Sequence, residues 1–272
     1  MTTSDESARA RARAGTRASA SDHDHDRSLR AIDHLLFHRS VDPHAQAIAH
    51  WYNAQVKPHA PIMEPSYYRM QIERFIFDSV RERQHAHVAK GGIGVRIYDI
   101  GQHLAPRTWL AYEDDAYRTV GLAESGMTPD IECDLLRLSA LHPVSFEGPS
   151  IIICAEVLEH CTDPARALRE MHATLAPGGI LLATAPFMWA DHATPAYDDY
   201  FRFTAGGWRL LLSQAGFSED ECTISSVRWT FEGGVLYDLL RRFECFGMRQ
   251  NTSAQTGFMV RARKQAREPD VE

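Results

Sequence analysis

The sequence predicts an α/β protein: a doubly wound, mostly parallel sheet with an N-terminal helical extension. Three observations carry that expectation. From residue 91 onward, apolar strands alternate with amphipathic helices, the pattern of an open sheet covered by helices on both faces. The central strands are continuous apolar runs, Ile151-Ile-Ile-Cys154 and Gly179-Ile-Leu-Leu-Ala-Thr-Ala185. They lack the polar alternation of a sheet with one face in water. A length of 272 residues, 44% of them hydrophobic, suffices for one sizeable core.

Residues 1–27 are expected to be a disordered tail. Ser7 to Ser21 is rich in Arg, Ala and Ser, and Asp22-His-Asp-His-Asp26 is polar, so almost nothing there can be buried. Residues 28–90 are expected to form a helical extension or lid. Ile72, Phe75, Ile76 and Val80 share one helix face, and Pro58, Pro61 and Pro65 interrupt the chain before it. Residues 91–272 are expected to form the main domain.

Within that domain, Gly91-Gly-Ile-Gly94 reads as a turn leading into a strand at 96–100. Strands follow at 119–122, weakly at 131–133, at 151–154 and at 179–185. Asp163 is a good N-cap, with Pro164 at the first helical position. Leu168, Met171 and Leu175 form that helix's buried stripe, and Pro177-Gly178-Gly179 stops it. A second helix starts at Thr204, carries Trp208, Leu211 and Leu212, and stops at Gly216. Strands near 222–227 and 257–263 flank a helical insert around 235–243.

Composition narrows the function. The net charge of −7 gives the chain no basic footprint for nucleic acid and favours a small-molecule partner. No apolar run is long enough to span a bilayer, and the N-terminus lacks the apolar core of a secretory signal. Five cysteines, none in a C-x-x-C pair, point to reduced thiols and a cytoplasmic location rather than a disulfide frame or zinc site. Nothing in the sequence sets the oligomeric state.

The first strand ends in Asp99-Ile100-Gly101, where a glycine lets the backbone approach a ligand. Glu124 follows 23 residues after Gly101, the place of an acidic group that binds ribose hydroxyls. A nucleoside is therefore expected. The run Gly101-Gln-His-Leu-Ala-Pro106 lacks the further glycines that cradle a pyrophosphate, which argues against a dinucleotide.

Later segments add a longer string: Cys154-Ala-Glu-Val-Leu-Glu-His160, Asp163-Pro164, Ala167-Leu-Arg-Glu-Met171, Leu175-Ala-Pro-Gly-Gly179 and Ala185-Pro186. In this order and spacing, residues 95–220 resemble the class I S-adenosylmethionine-dependent methyltransferases. The resemblance implies a Rossmann-like, seven-stranded sheet whose last strand is antiparallel, with S-adenosyl-L-methionine as cofactor. It places Asp99 and Gly101, beside Gln102, along the methionine part of the cofactor. Leu122 and Glu124 follow the second strand on the ribose side. Asp134 would face the adenine amine with Leu135 stacking nearby, and Cys154 and Ala155 would close the pocket. Two positions depart from the family: His103 stands near the second glycine, and Ala123 precedes Glu124 where an acidic residue usually ends the second strand.

Methyl transfer is an in-line displacement at a sulfonium, for which the protein mainly supplies positioning. An oxygen acceptor can need a base, whereas an amine must arrive neutral. Two clusters could serve. Glu156, Glu159 and His160 share one side if their segment is helical. His192, Asp198, Asp199, Tyr200 and Arg202 follow the fifth strand. The expected catalytic set is Glu156, His160, His192, Tyr200 and Arg202, with no metal ligand assigned.

The segment from Asp198 to Thr204 resembles a stretch of methyltransferases in bacterial sugar and natural-product pathways. That resemblance implies that Tyr200 and Arg202 orient a small-molecule acceptor for O- or N-methylation. Alternatively, Arg202 only pairs with Asp198 or Asp199. The Glu-x-x-Glu-His string also resembles the metal-binding motif of ubiquinone-pathway O-methyltransferases and small-RNA terminal ribose methyltransferases. A metal-assisted RNA ribose methyltransferase is therefore one alternative. A methyltransferase-like binding protein without activity, suggested by the altered turn after Gly101, is another.

Overall fold

The computed structural model describes parts of 46–54, then 67–89, 95–101, 116–123, 128–141, 149–228 except 190, and 255–266. Seven strands form one sheet: β1 (Ile97–Ile100), β2 (Tyr117–Gly121), β3 (Ile131–Glu132), β4 (Ile151–Ala155), β5 (Ile180–Pro186), β6 (Cys222–Arg228) and β7 (Gln255–Arg263). Their order is β3-β2-β1-β4-β5-β7-β6. Every pairing is parallel except those of β7, which runs antiparallel to both β5 and β6. The antiparallel last strand is the one the family resemblance implied.

Register decides where a ligand can sit. Ile100 lies opposite both Val120 and Cys154, so β1, β2 and β4 end level with one another. Strand order reverses between β1 and β4, and ligands of open α/β sheets bind outside the carboxyl ends at such a switch point.

Each strand feeds two cores because successive side chains alternate across the sheet. Tyr98, Ile100, Ile152 and Cys154 face α2 (Pro164–Thr174) and α3 (Ala205–Ala215), packing with Leu168, Met171, Trp208 and Leu212. Ile97, Tyr117, Ile151 and Ile153 face α1 (Tyr67–Val88), where Ile72, Ile76 and Val80 are wholly buried. The i, i+4, i+8 stripe read from the sequence is therefore a covering layer of the sheet, with Phe75 half-buried beside it.

Local chemistry fixes the helix ends. Asp163 Oδ1 accepts from the Arg166 amide at 2.9 Å, and Pro164 takes the first position. Thr204 Oγ1 accepts from the Gly207 amide at 3.0 Å. Gly216 ends α3 at φ 100°, a left-handed conformation that suits glycine.

Several boundaries differ from expectation. β2 starts at Tyr117, whose buried ring belongs to the core, and stops before Leu122, which is 50% exposed. A 3-10 helix at Leu135–Leu141 was not anticipated; it buries Leu138, and Glu170 of α2 accepts from the Ser139 amide at 2.9 Å. The tail, the 91–94 turn, the 235–243 insert, Gln102, His103 and Glu124 lie outside the described residues.

Candidate active site

At the carboxyl ends of β1 and β2 the sheet opens into a cavity of about 370 Å³. Its apolar walls include Ile100, Val120, Leu135, Leu136 and Val157. Gly101 passes at φ 85°, and a Cβ at Gly121 would meet nothing within 4 Å. Cys133, Asp134, Cys161 and Thr162 supply polar edges, while His160, Ala196 and Tyr197 form the remaining wall. No Lys or Arg stands among the described lining residues.

Four expected cofactor residues, Gly101, Leu122, Asp134 and Leu135, line this cavity. Asp134 spends Oδ1 on the Leu136 amide at 2.9 Å, which starts the 3-10 turn beneath Leu135. Three others do not line it. Asp99 faces the α1 side and accepts from Tyr117 Oη at 2.7 Å, because strand alternation groups it with Ile97. Cys154 points into the α2/α3 core and Ala155 into the α1 core. Burial pushes the Asp99 carboxyl up to about 7, against the Tyr117 hydrogen bond, which lowers it.

The segment after β4 is not an α-helix. Glu156 takes a left-handed φ of 56°, and only Leu158–His160 form a 3-10 turn. The helical spacing that put Glu156, Glu159 and His160 on one side therefore does not apply. Glu156 instead accepts from Tyr68 Oη at 3.0 Å and from Thr184 Oγ1 at 2.8 Å, so α1 is tied to the tip of β5. Trp189 stacks on Tyr68 with ring centroids 5.4 Å apart.

Glu159 is wholly buried, and neither carboxylate oxygen has a hydrogen-bond partner. Its backbone carbonyl accepts from the Tyr200 and Phe201 amides at 2.7 and 3.2 Å. That clamp folds the loop after β5 over the turn. The loop delivers His192, whose ring meets His160 edge-on at 4.8 Å, and Tyr197, 4.4 Å from His160. Glu159, His160 and His192 thereby place one ligand atom each within 4.8 Å of one another.

A second layer orients both imidazoles. His160 Nδ1 lies 2.7 Å from the Asp198 carbonyl; since a carbonyl only accepts, that nitrogen carries the proton. His192 Nδ1 lies 2.9 Å from Asp199 Oδ2. Asp199 is gripped at both oxygens by the Arg202 guanidinium, whose hydrogen bonds hold its carboxyl down at about 2. Arg202 is thus a strut for Asp199. Tyr200 is 48% exposed and donates to Asp198 Oδ2 at 2.8 Å.

Burial is the largest influence on the inner acids. It raises Glu156, which the hydrogen bonds of Thr184 and Tyr68 and the charge of Arg69 oppose. It raises Glu159, with the Glu156 charge adding to it. It lowers His160, against the hydrogen bond to the Asp198 carbonyl, which raises it.

Sequence reasoning passed over Tyr68, Tyr197, Val157 and the Asp199–His192 contact. Tyr68 reaches Glu156 across 88 residues, and no local pattern signals such a pairing.

The model of a family described as a methyltransferase domain matches residues 48–221. The chain belongs to this family. Membership brings the expected class with it: an S-adenosylmethionine-dependent methyltransferase on a seven-stranded Rossmann-like sheet.

The methyltransferase is similar to several solved structures. A SAM-dependent methyltransferase from Archaeoglobus fulgidus is 13% identical, covering 73% of this chain and 100% of that one at a TM-score of 0.44. The [4+2]-cyclase SpnF is 16% identical, with coverage of 76% and 85% and a TM-score of 0.43. Phosphoethanolamine N-methyltransferase 2 of Haemonchus contortus, complexed with phosphomonomethylethanolamine and S-adenosylhomocysteine, is 12% identical. Coverage there is 68% and 53%, at a TM-score of 0.40. No curated protein matches the sequence.

The residues of this methyltransferase fit the cofactor. Apolar walls suit an adenosyl group, Gly121 leaves open space, and the described lining offers no cation for a phosphate.

Proposed function

We propose that this methyltransferase methylates an oxygen or nitrogen of a small-molecule acceptor, of the kind found in sugar or natural-product pathways. The observation that carries the reading is His160 on the cavity wall, with its proton fixed on Nδ1 by the Asp198 carbonyl. With the proton held on Nδ1, the Nε2 lone pair can accept a hydrogen bond or a proton from the acceptor. When bound, S-adenosylmethionine supplies a methyl group already activated on sulfur.

The chain's own residues then position. Tyr197 packs on His160 and lines the same wall, and the Asp199–Arg202 pair fixes the loop that carries His192. Gly101, Leu122, Asp134 and Leu135 hold the cofactor in this reading, with Gln102 and Glu124 reserved for its polar parts. Glu156 acts from behind, holding Tyr68 and Thr184 together. The four described cysteines are free, and no described helix is long and apolar enough to cross a membrane; both observations support a cytoplasmic location.

The test is transfer of an isotopically labelled methyl group from S-adenosylmethionine into a panel of hydroxyl- and amine-bearing small molecules, with RNA as the comparison substrate. The reading expects label in a small molecule and a loss of about 10²–10⁴-fold in His160→Ala. Label in RNA, or in no acceptor class offered, overturns it.

A further inference from the structure

We propose that Arg83, Arg261 and Arg263 form a binding site for a phosphate group at the amino end of the sheet, apart from the cofactor cavity.

Strand geometry brings the three together. β7 runs antiparallel to β5, and Arg263 lies opposite Ile180, the first residue of β5. The cavity lies at the other end of the sheet. A period of two puts Arg261 and Arg263 on one face, the face on which Met259 packs against the α1 core. The C-terminal half of α1 meets that face. Arg261 donates to both carboxylate oxygens of Glu82 at 2.6 and 3.1 Å, and Arg83 is the next residue along the helix. A Cβ at Gly178 would stand 4.0 Å from Arg83 Nη2, so this guanidinium reaches the turn before β5.

Unequal pairing is the second observation. Arg261 is gripped by Glu82. Arg263 lies 3.8 Å from Glu221, with the two side chains 44% and 39% exposed, a contact that contributes little. Arg83 has no carboxylate partner among the described residues, and its Nε is buried without a hydrogen bond. Burial lowers its pKa, and the like charges of Arg263 and Arg261 lower it further. A guanidinium keeps its proton even so. A counter-anion is therefore what relieves the repulsion.

The third observation is charge. The chain as a whole carries −7, so three guanidinia against Glu82 and Glu221 reverse the prevailing sign locally. The planar fork of arginine matches phosphate through parallel N–H···O bonds. Two incompletely paired arginines suit a dianion better than a single carboxylate. Lys264 is not a member, since its Nζ donates to the Leu175 and Ala173 carbonyls at 2.7 and 3.3 Å. The phosphate can be a free ion or an ester of a small organic molecule; the recognising chemistry is the same.

The experiment is a calorimetric titration of the full-length chain with inorganic phosphate and, in parallel, with glycerol 3-phosphate. Low ionic strength limits screening. Because Arg9, Arg11, Arg13 and Arg17 stand in the N-terminal segment, all four are changed to Gln in the background protein. S-adenosylhomocysteine binding is measured on the same samples. One phosphate group per chain is expected, with affinity lowered at least about tenfold in Arg83→Met and in Arg263→Met. Glu82→Gln frees Arg261 and should tighten binding several-fold, an outcome that a purely structural role would not produce. S-adenosylhomocysteine affinity should not change in any of the three. Tighter binding of the ester assigns the site to an organic phosphate, and tighter binding of the inorganic ion to the free anion; either supports the proposal. Absence of saturable binding by both ligands, unchanged affinity in Arg83→Met and Arg263→Met, or weaker binding in Glu82→Gln overturns it. If Arg83→Met fails to fold, the other two variants decide, since Arg263 and Glu82 are 44% and 64% exposed.

Discussion

Replacing Asp99 by Asn should change the pH dependence of stability while leaving the cofactor cavity intact. The carboxyl is 2% exposed and accepts one hydrogen bond from Tyr117 Oη. Burial raises it from an ordinary 3.8 to about 7. In the folded state it therefore keeps a proton that the unfolded chain gives up. Stability from this group is fully present below about pH 4, falls as pH rises toward 7, and is level above that. At about 1.4 kcal/mol per pK unit, a shift of about three units sets a ceiling of roughly 4 kcal/mol, and relaxation around the site should bring it nearer 2. Asn keeps an acceptor oxygen for Tyr117 and carries no charge at any pH. Urea unfolding of both proteins between pH 4.5 and 8.5 should show the variant gaining on the wild type as pH rises, then a constant difference. S-adenosylhomocysteine affinity should stay within a few fold, because Asp99 does not line the cavity. Parallel stability curves, or a variant that loses ground with rising pH, would mean that Asp99 is charged and paired in the folded protein.

Three other outcomes follow from packing and charge. Ile76→Ala, at a wholly buried α1 position, should cost about 2–5 kcal/mol in denaturant unfolding; a cost below 1 would make α1 a detachable extension. Gly257→Ala should disturb the join between α1 and the site by about 1–3 kcal/mol, since its Cβ would meet Tyr68 Oη at 2.6 Å and the Ala185 carbonyl at 2.8 Å. Unchanged melting there would show that the strand yields easily. Arg202→Met should raise the pH of acid unfolding. Asp199, held at about 2, contributes stability above the unfolded carboxyl range that is lost as pH falls toward 2; an unmoved acid midpoint would remove Arg202 as its strut.

The sheet was legible because buried parallel strands leave unbroken apolar runs, and β4 and β5 were expected within a residue or two of their limits. Helix ends were legible for a similar reason: Asp163, Pro164, Thr204 and Gly216 each do a job that few residue types can do. β3 is two residues long and carries almost no period, and the 3-10 helix beside it has no strong sequence signature. At the site, spacing misled where the backbone turned: a left-handed Glu156 separates two acids that a helix would align. The side of β1 that Asp99 faces was readable in principle, since a period of two groups it with Ile97. Tyr68 and Asp199 were not, because their roles come from contacts made only when distant segments meet.

If the site is read correctly, the carboxyl ends of β1 and β2 hold an adenosyl sulfonium beside His160. A crystal structure with S-adenosylhomocysteine tests it most directly. The adenine should lie between Leu135 and Val120, with the sulfur on the side of His160. An S-adenosylhomocysteine bound elsewhere, or a hollow filled by Gln102, His103 or Leu104, would contradict it.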